Sequence, residues 1–472
     1  MFFFYACFCI LPLSGQVRPN IIIILADDLG FGDPGGYFGG NAATPNLDRL
    51  AREGMLFTDF HSNGPMCSPT RAALLTGRYQ QRLGIESALP IDWDVPGIGS
   101  AENAGEITMA EYLRDEGYVT GIFGKWHLGK HPSANPLLHG FDDFRGLKSG
   151  DSDYFTKMDR KGHRDWWHGK DLEFQEGYVT GVITDNAVRF IIKHQQRPFF
   201  LYVAHLAIHF PWQAPGDLDL EKRREGEDFS GNHPGPRSKL GPHPPEEIPT
   251  VLQKMIEELD ASVGRIVETL REEGLEKRTL LFFTSDNGGY RSYPVKLKDE
   301  KAALIPGFDS TLAAPLWPEI GSNGPLRGQK MQVYEGGHRV PAIAWWPGHI
   351  PPLSVCGHTV MTMDLLPTVL DLLEVEPPPP GHPNALDGIS LLPLLVRGEP
   401  PVGRTLFWRM YNQKAVRQDQ WKLVIQQGTP PELYDLSGDI GETADVSAHH
   451  PEVVAGMEAA LDEWERGFIE LP

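Results

Sequence analysis

The chain has few cysteines and more acidic than basic residues. Its 472 residues include four cysteines, 43 lysines plus arginines and 63 aspartates plus glutamates, giving a formal net charge of -20 at pH 7. Cys7 and Cys9 lie in an N-terminal segment that we expect to be removed, so a disulfide framework is excluded. A bridge between Cys67 and Cys356 is possible in an exported protein, but it would consume Cys67. The acidic balance argues against nucleic acid as a partner, so any anion site must be locally basic.

Long apolar runs are also scarce. The one candidate, over residues 1–13, is followed by the small polar pair Ser14-Gly15 and is too short for a comfortable membrane span. The run resembles the end of a secretory signal peptide, although it contains no Lys or Arg. We therefore predict a signal peptide over residues 1–15, an exported protein, periplasmic or extracellular, and no stable membrane span. A misassigned start codon and an uncleaved anchor are the alternatives.

Four apolar runs end at polar residues, a pattern typical of strands buried on both faces of a parallel sheet. These are Ile21 to Leu25 before Asp27-Asp28, Tyr118 to Phe123 before Lys125 and His127, Phe199 to Ala204 before His205 and His209, and Leu280 to Phe283 before Asp286-Asn287. Helical patterns lie between them, at residues 44–53, 108–116, 178–194 and 251–273. The alternation predicts an α/β fold with a large, mostly parallel sheet sandwiched by helices. In such sheets, ligands bind beyond the carboxyl ends of the strands.

The end of the chain has a different pattern. A proline-rich linker at residues 377–383 precedes short strand patterns at 405–410, 414–417 and 421–425 and a helical pattern at 451–464. We predict a catalytic domain over residues 16–376 and a smaller α+β subdomain with an antiparallel sheet over residues 377–472. Two irregular stretches, 213–249 and 290–324, are predicted to wall the pocket or act as lids, with disordered insertions as the alternative.

Carboxylates and an amide follow two of the predicted strands. Asp27, Asp28 and Asp286 supply carboxylate oxygens and Asn287 an amide oxygen, which are hard ligands suited to Ca²⁺ or Mg²⁺. Three carboxylates at one sheet edge repel one another unless a cation lies between them. Solvated turns or helix caps are the alternative for each pair. The pattern predicts one divalent cation at this edge.

One thiol, Cys67, stands directly before a predicted helix. Ser68 is a suitable N-cap, Pro69 fits the first turn and Gly77 ends the helical pattern. Unpaired backbone N–H groups and the positive end of the helix dipole should therefore lie beside the thiol. Such a position favours binding of an anion.

Two segments carry a family resemblance. Cys67-Ser68-Pro69-Thr70-Arg71, continuing to Gly77-Arg78, resembles the signature of the sulfatase family, and Gly124-Lys125-Trp126-His127-Leu128-Gly129 resembles its second signature. The resemblance implies an alkaline phosphatase-like fold and conversion of Cys67 to formylglycine by a separate formylglycine-generating enzyme. It also implies one divalent ion, with Ca²⁺ favoured over Mg²⁺, shared by Asp27, Asp28, Asp286, Asn287 and the oxidised Cys67.

The same resemblance assigns the groups that handle sulfate. Extended backbone would point Lys125 and His127 to one side and Trp126 to the other. His209 resembles the family's sulfate-contacting histidine, with His205 as the alternative. Lys330 resembles the lysine late in the family's sequence, with Arg327 as the alternative. The implied sulfate-neutralising groups are Arg71, Lys125, His209 and Lys330. The resemblance further implies that His209 or Lys330 protonates the leaving alcohol and that His127 takes up a proton when the intermediate breaks down.

The implied activity is hydrolysis of an aryl or carbohydrate sulfate ester to an alcohol and inorganic sulfate, through a formylglycine-sulfate intermediate. The implied partners are a sulfated small molecule or carbohydrate and the maturation enzyme. Two alternatives stay open: a phosphonate or phosphate ester hydrolase of the same superfamily, and a non-catalytic glycan-binding relative.

Overall fold

The computed structural model describes residues 18–468, except for residues 91, 93–94, 101–102, 104, 160, 218–242, 244 and 293–319. The predicted signal peptide and most of the two predicted lid stretches lie outside the described residues. Among the helices that are described, none combines the length and the apolarity needed to cross a membrane.

Strands and helices alternate through the first three quarters of the described chain. The strands are β1 Asn20–Ala26, β2 Met55–Phe57, β3 Phe60–His61, β4 Val119–Lys125, β5 Asp143–Leu147, β6 Trp167–His168, β7 Asp171–Leu172, β8 Phe199–Ala204, β9 Thr279–Ser285, β10 Ala342–Trp345, β11 Ser354–Cys356, β12 Val360–Met361, β13 Thr405–Met410, β14 Gln413–Gln418, β15 Trp421–Gln426 and β16 Glu432–Asp435. The α-helices are α1 Pro45–Glu53, α2 Cys67–Thr76, α3 Met109–Asp115, α4 Val179–His194, α5 Ile248–Glu272, α6 Glu335–His338, α7 Leu365–Leu372, α8 Leu392–Arg397 and α9 Pro451–Arg466.

A ten-stranded sheet forms the centre, in the order β11-β2-β10-β9-β1-β8-β4-β5-β6-β7. Its central strands β9, β1, β8, β4 and β5 are parallel, whereas β10, β6 and β7 add antiparallel pairs towards the edges. The predicted α/β fold with a mostly parallel sheet is therefore confirmed. The four strands that end in polar residues are neighbours, so their carboxyl ends meet at one edge.

The two faces of β1 explain its unbroken apolar sequence. Ile22 and Ile24 pack in a core that includes residues of α1, α4 and α5. Ile21 and Ile23 point the other way, into a core that includes residues of α2, α3 and α7. Both faces of the sheet are covered, so neither face of the strand needs polar side chains.

The C-terminal strands β13 to β16 form the predicted antiparallel sheet, in that order. This sheet and α9 share a core with Met66 and with Ala73 of α2, so the C-terminal sheet packs beside the helix that carries Cys67. Helix α8, beyond the predicted linker, packs in the core of the large sheet. The subdomain boundary at residue 377 stays a prediction.

A buried charge network joins the C-terminal sheet to the segment before β10. The Nζ of Lys422, on β15, lies 2.9 Å from a carboxylate oxygen of Glu335 and 2.9 Å from one of Glu442, and all three side chains are inaccessible to solvent. Glu442 also accepts the backbone N–H of Glu335 at 2.8 Å. The ammonium group neutralises both carboxylates, and Glu335 has a second cation in Arg339, whose Nη1 lies 3.2 Å away.

We expect Lys422→Met to destabilise the protein by roughly 3–5 kcal/mol, because the buried Glu442 loses its ammonium partner and Glu335 is left with Arg339. Lys414→Met, on the neighbouring strand, is the matched control, because Lys414 pairs with Glu465 at a partly exposed position and surface pairs contribute about 1 kcal/mol or less. Urea unfolding of both variants checks this. Equal losses of unfolding free energy would contradict it.

Candidate active site

The carboxylates of two neighbouring strands meet because of the strand register. Ala26 of β1 pairs with Ser285 of β9, so the following residues of both strands leave the sheet side by side. The backbone N–H of Asp28 donates to Asp286 Oδ1 at 3.2 Å, and Asn287 Nδ2 donates to Asp28 Oδ1 at 2.8 Å. Asp27, Asp28, Asp286 and Asn287 are all buried.

Three buried cations surround these carboxylates. Arg71 donates to Asp286 Oδ2 from Nε at 2.9 Å and from Nη2 at 2.7 Å. Lys125 Nζ lies 2.5 Å from Asp27 Oδ2, and Lys330 Nζ lies 2.5 Å from Asp28 Oδ1. Since the whole chain is strongly acidic, this cluster supplies the local basic character that an anion site requires.

The Arg71 guanidinium bonds other protein groups of the site. Besides its two bonds to Asp286, Nη1 donates to the carbonyl oxygen of Lys125 at 2.7 Å, and the side chain is inaccessible to solvent. Burial opposes protonation, but the neighbouring carboxylates raise the pKa of Arg71 further above its usual range. The guanidinium therefore fixes Asp286 against the end of β4.

The helix after the thiol begins two residues earlier than predicted. Helix α2 starts at Cys67 itself, with Met66 in extended conformation as the N-cap residue. The prediction of Ser68 as the N-cap is therefore wrong. The Ser68 hydroxyl donates to the carbonyl of His127 at 2.8 Å and accepts the N–H of Leu89 at 3.0 Å, so it joins two distant loops instead of capping its own helix.

The Cys67 thiol lies between the acidic and the basic groups. Sγ is 3.4 Å from Asp27 Oδ1 and 3.4 Å from Lys330 Nζ, and the residue is 1% exposed. Burial, with the charges of Asp27 and Asp286, raises the pKa of the thiol far above its usual range. An unmodified Cys67 is therefore protonated at neutral pH and a poor nucleophile. Both Cys67 and Cys356 are free cysteines, so they are not bridged.

His127 reaches the site through a turn, so the expected extended alternation ends at Lys125. Strand β4 ends at Lys125, and His127 has a φ of 54°. His127 Nε2 lies 3.1 Å from the carbonyl of Leu89; because a carbonyl only accepts, Nε2 carries the hydrogen and Nδ1 the lone pair. Nδ1 is buried without a hydrogen-bond partner among the described residues. Burial and then the Lys125 and Arg71 charges lower the pKa of His127 well below its usual value, so the ring is neutral, with its lone pair on Nδ1.

The two histidines after β8 have different surroundings. His209 Nε2 lies 3.8 Å from Asp28 Oδ2, and its Nδ1 donates to the carbonyl of Phe210 at 2.7 Å. His205 instead bonds Ser262 on α5 at 3.0 Å, and burial lowers its pKa to about 3. The structure brings His209 to the carboxylates, whereas His205 contacts a helix on one face of the sheet.

Lys330 and Arg327 also have different surroundings, and only Lys330 contacts the carboxylate cluster. Lys330 contacts Asp28 and Cys67, as described above. Arg327 donates to the Tyr434 hydroxyl at 2.6 Å and to the carbonyl of Glu442 at 3.0 Å, both in the C-terminal part of the chain. Arg327 therefore links the C-terminal sheet to the segment that carries Lys330.

The donor set fits a divalent cation. Ligand atoms of Asp27, Asp28, Cys67 and His209 lie within 4.8 Å of one another. Asp28 Oδ2 and Asn287 Oδ1 are buried without a hydrogen-bond partner among the described residues, although buried oxygens are normally paired. Burial and the neighbouring Asp286 and Asp28 raise the pKa of Asp27 to about 7, against the opposing effect of Lys125. A hard cation would satisfy the unpaired oxygens and relieve this crowding.

Asp33 is a buried carboxyl beside the site that the motifs did not single out. Its Oδ2 accepts the N–H of Gly30 at 2.7 Å and its Oδ1 that of Ser322 at 2.6 Å. Burial raises its pKa to about 7 despite these two bonds. The glycines that precede Asp33 in the sequence could have drawn attention to this loop. A Cβ on Gly30 would lie 2.4 Å from the Ser322 carbonyl oxygen, so the backbone here must approach residue 322 closely.

A mostly parallel sheet carries carboxylates, an amide, cations and a helix-start cysteine at one edge, an arrangement suited to an enzyme that acts on a tetrahedral anion. The family model described as Sulfatase matches residues 19–375, and that described as N-sulphoglucosamine sulphohydrolase, C-terminal, matches residues 328–466. The chain belongs to the sulfatase family, the enzymes that hydrolyse sulfuric esters.

Individual relatives agree with this family. The chain is 36% identical to the N-acetylgalactosamine-6-sulfatase of Sus scrofa, over 86% of this chain and 71% of that protein. It is 32% identical to the arylsulfatase A of Bos taurus, over 91% of this chain and 83% of that protein. The crystal structure of Ps i-CgsB in complex with k-i-k-neocarrahexaose is similar with a TM-score of 0.77 and 29% identity, over 95% of this chain and 92% of that one. The predicted alkaline phosphatase-like fold and sulfatase family are confirmed.

We expect Ca²⁺ added to chelator-treated protein to raise the melting temperature, because a ligand of the folded state stabilises it by about 2.7 kcal/mol at a concentration 100 times its Kd. Asn287→Ala should weaken Ca²⁺ binding roughly 10-fold or more, as loss of a ligand or of its support does. Asn186→Ala is the control, since this buried amide bonds the Val182 carbonyl on α4. Differential scanning fluorimetry across a series of Ca²⁺ concentrations measures the melting temperature and, from its rise, the Ca²⁺ affinity. If Asn287→Ala needed the same Ca²⁺ concentration as the wild type for half of this rise, Asn287 would not be a ligand.

Proposed function

We propose that this sulfatase removes sulfate from carbohydrate O-sulfate esters, with 6-sulfated N-acetylgalactosamine as the first candidate substrate. The observation that carries the proposal is the cluster of Arg71, Lys125, His209 and Lys330 around Cys67 and the hard-ligand carboxylates. The relatives named N-acetylgalactosamine-6-sulfatase, and the oligosaccharide in the Ps i-CgsB structure, support a carbohydrate over a simple aryl sulfate.

Two groups that the family implies complete the site. Asp27, Asp28, Asp286 and Asn287 would hold a divalent cation, Ca²⁺ by preference, which supplies Lewis acidity beside position 67. Formylglycine at position 67 supplies, as its hydrate, a hydroxyl nucleophile that carries the sulfate during turnover and a second hydroxyl that allows its release.

The remaining steps belong to the chain's own side chains. Lys125 and Lys330 are buried ammonium groups paired with Asp27 and Asp28 beside position 67, and they balance the charge of the sulfate oxygens. His209 or Lys330 donates a proton to the leaving alcohol oxygen. His127 Nδ1, which holds a lone pair and faces no partner among the described residues, accepts the proton of the second hydroxyl when sulfate leaves. Arg71 keeps Asp286 oriented throughout.

Maturation and export form part of the proposal. Because Cys67 is 1% exposed in the folded chain, a formylglycine-generating enzyme must reach this segment before the fold closes. The predicted signal peptide over residues 1–15, outside the described residues, supports export to the periplasm or the extracellular space. We also retain residues 16–376 as the catalytic domain and 377–472 as the C-terminal subdomain.

We expect the mass spectrum of the peptide spanning Cys67, from protein made with the maturation enzyme, to show an aldehyde in place of the thiol. Cys67→Ala and Cys67→Ser should each lower kcat by on the order of 10³-fold or more, since neither can form the hydrate. Cys356→Ser is the matched control and should retain turnover. Full activity with an intact thiol at position 67 would refute the formylglycine route.

Substrate class is tested with paired esters. We expect aryl sulfate to be hydrolysed with a higher kcat/KM than the matching aryl phosphate and phosphonate. In a sugar panel, 6-sulfated N-acetylgalactosamine should react faster than the 4-sulfated isomer. Sulfate release is measured by ion chromatography. Preference for phosphate or phosphonate would replace the sulfatase proposal, and binding of sulfated sugar without turnover would favour the glycan-binding alternative.

A further inference from the structure

Residue 323 lies where three loops of the active site meet. The first loop follows β1 and carries Asp28, the second follows β9 and carries Asn287, and the third leads to Lys330. A short segment, residues 321–324, runs between them. The side chain of Asn323, in this segment, is inaccessible to solvent.

The Asn323 amide pairs with the backbone of the second loop at two points. Its Oδ1 accepts the N–H of Gly289 at 2.9 Å, and its Nδ2 donates to the carbonyl of Gly289 at 3.0 Å. Gly289 stands two residues after Asn287. The two-point contact fixes both peptide groups that flank the Cα of Gly289, which a single hydrogen bond would not do.

The same amide also reaches the third loop. Asn323 Nδ2 donates a second bond to the carbonyl of Gly328 at 3.1 Å, two residues before Lys330. The backbone N–H of Lys330 in turn donates to the Gly289 carbonyl at 3.3 Å. The loop with Asn287 and the loop with Lys330 are therefore tied to one side chain and to each other.

The first loop packs against this arrangement. A Cβ on Gly30 would lie 2.5 Å from Asn323 Oδ1, so the backbone two residues after Asp28 lies against the amide. The neighbouring residue Ser322 accepts the N–H of Gly32 at 2.9 Å through its carbonyl and donates its own N–H to Asp33 at 2.6 Å. All three loops are thus held by residues 322 and 323.

We infer that Asn323 is a positioning residue that holds the cation ligand Asn287 and the sulfate-binding Lys330 at their working separation. The inference depends on the proposed function, because it takes Asn287 as a ligand and Lys330 as a sulfate contact. Both polar atoms of the Asn323 amide bond backbone groups of Gly289 and Gly328, so Asn323 acts through this backbone. Loss of a group that supports a metal ligand typically weakens metal affinity or activity about 10- to 100-fold.

The test compares Asn323→Ala with Asn20→Ala. Asn20 is a matched control because it is also buried, accepts the Phe199 N–H at 3.3 Å and donates to Thr279 at 3.2 Å, at the opposite end of the same sheet. Calorimetric titration of chelator-treated protein gives the Ca²⁺ Kd. We expect Asn323→Ala to raise this Kd roughly 10- to 100-fold and Asn20→Ala to leave it unchanged within about twofold, while both lower the melting temperature.

A second, more conservative variant keeps the test valid if Asn323→Ala does not fold. Asn323→Ser keeps a polar group at this position and should raise the Ca²⁺ Kd and lower kcat at saturating Ca²⁺, because Lys330 also shifts. An unchanged Kd in either folded Asn323 variant, or an equal rise in Asn20→Ala, would overturn the positioning role. A wild-type protein that binds Ca²⁺ but releases no sulfate would instead contradict the proposed function.

Discussion

The active-site structure depends on the burial of like charges at one sheet edge. Asp27, Asp28 and Asp286 are brought together by the register of two parallel strands, and like charges at this separation repel strongly in a poorly solvated interior. The protein offsets this with Arg71, Lys125 and Lys330, each within hydrogen-bond distance of one carboxylate. Because the cations are fixed by the carboxylates, the groups that would bind an anion are already in place before substrate arrives.

The same arrangement resolves an apparent conflict between net charge and function. A chain with a formal charge of -20 repels anionic substrates at long range. The positive groups are therefore concentrated within a few ångströms of Cys67, where their effect is strong and only weakly screened. Affinity for a sulfate group must therefore come from these short-range contacts.

Much of this could be predicted from the sequence, because the signals were local. Runs of β-branched residues such as Ile21 to Leu25 fixed the strands, and polar residues directly after them identified the edge that carries the site. The start of α2 was predicted two residues late, because the Ser68 hydroxyl bonds His127 and Leu89, which are distant in sequence. The left-handed turn at His127 and the bond from Arg71 to Asp286 also depend on tertiary contacts. Asn323 belongs to no motif, and only the folded chain shows that its amide contacts two loops.

The C-terminal sheet limits how far the chain can be shortened from its C-terminal end. The buried ammonium of Lys422 binds Glu335 at the start of α6, and the carbonyl of Gly337 in that short helix accepts the N–H of Gly288 at 2.9 Å, next to Asn287. Support for the acidic edge thus passes through residues that lie more than a hundred positions further along the chain. A fragment that stopped after the large sheet would keep the carboxylates, the amide and the cations of the cluster, yet it would lose Lys422, one of the cations that neutralise Glu335 in the short helix bonded to Gly288.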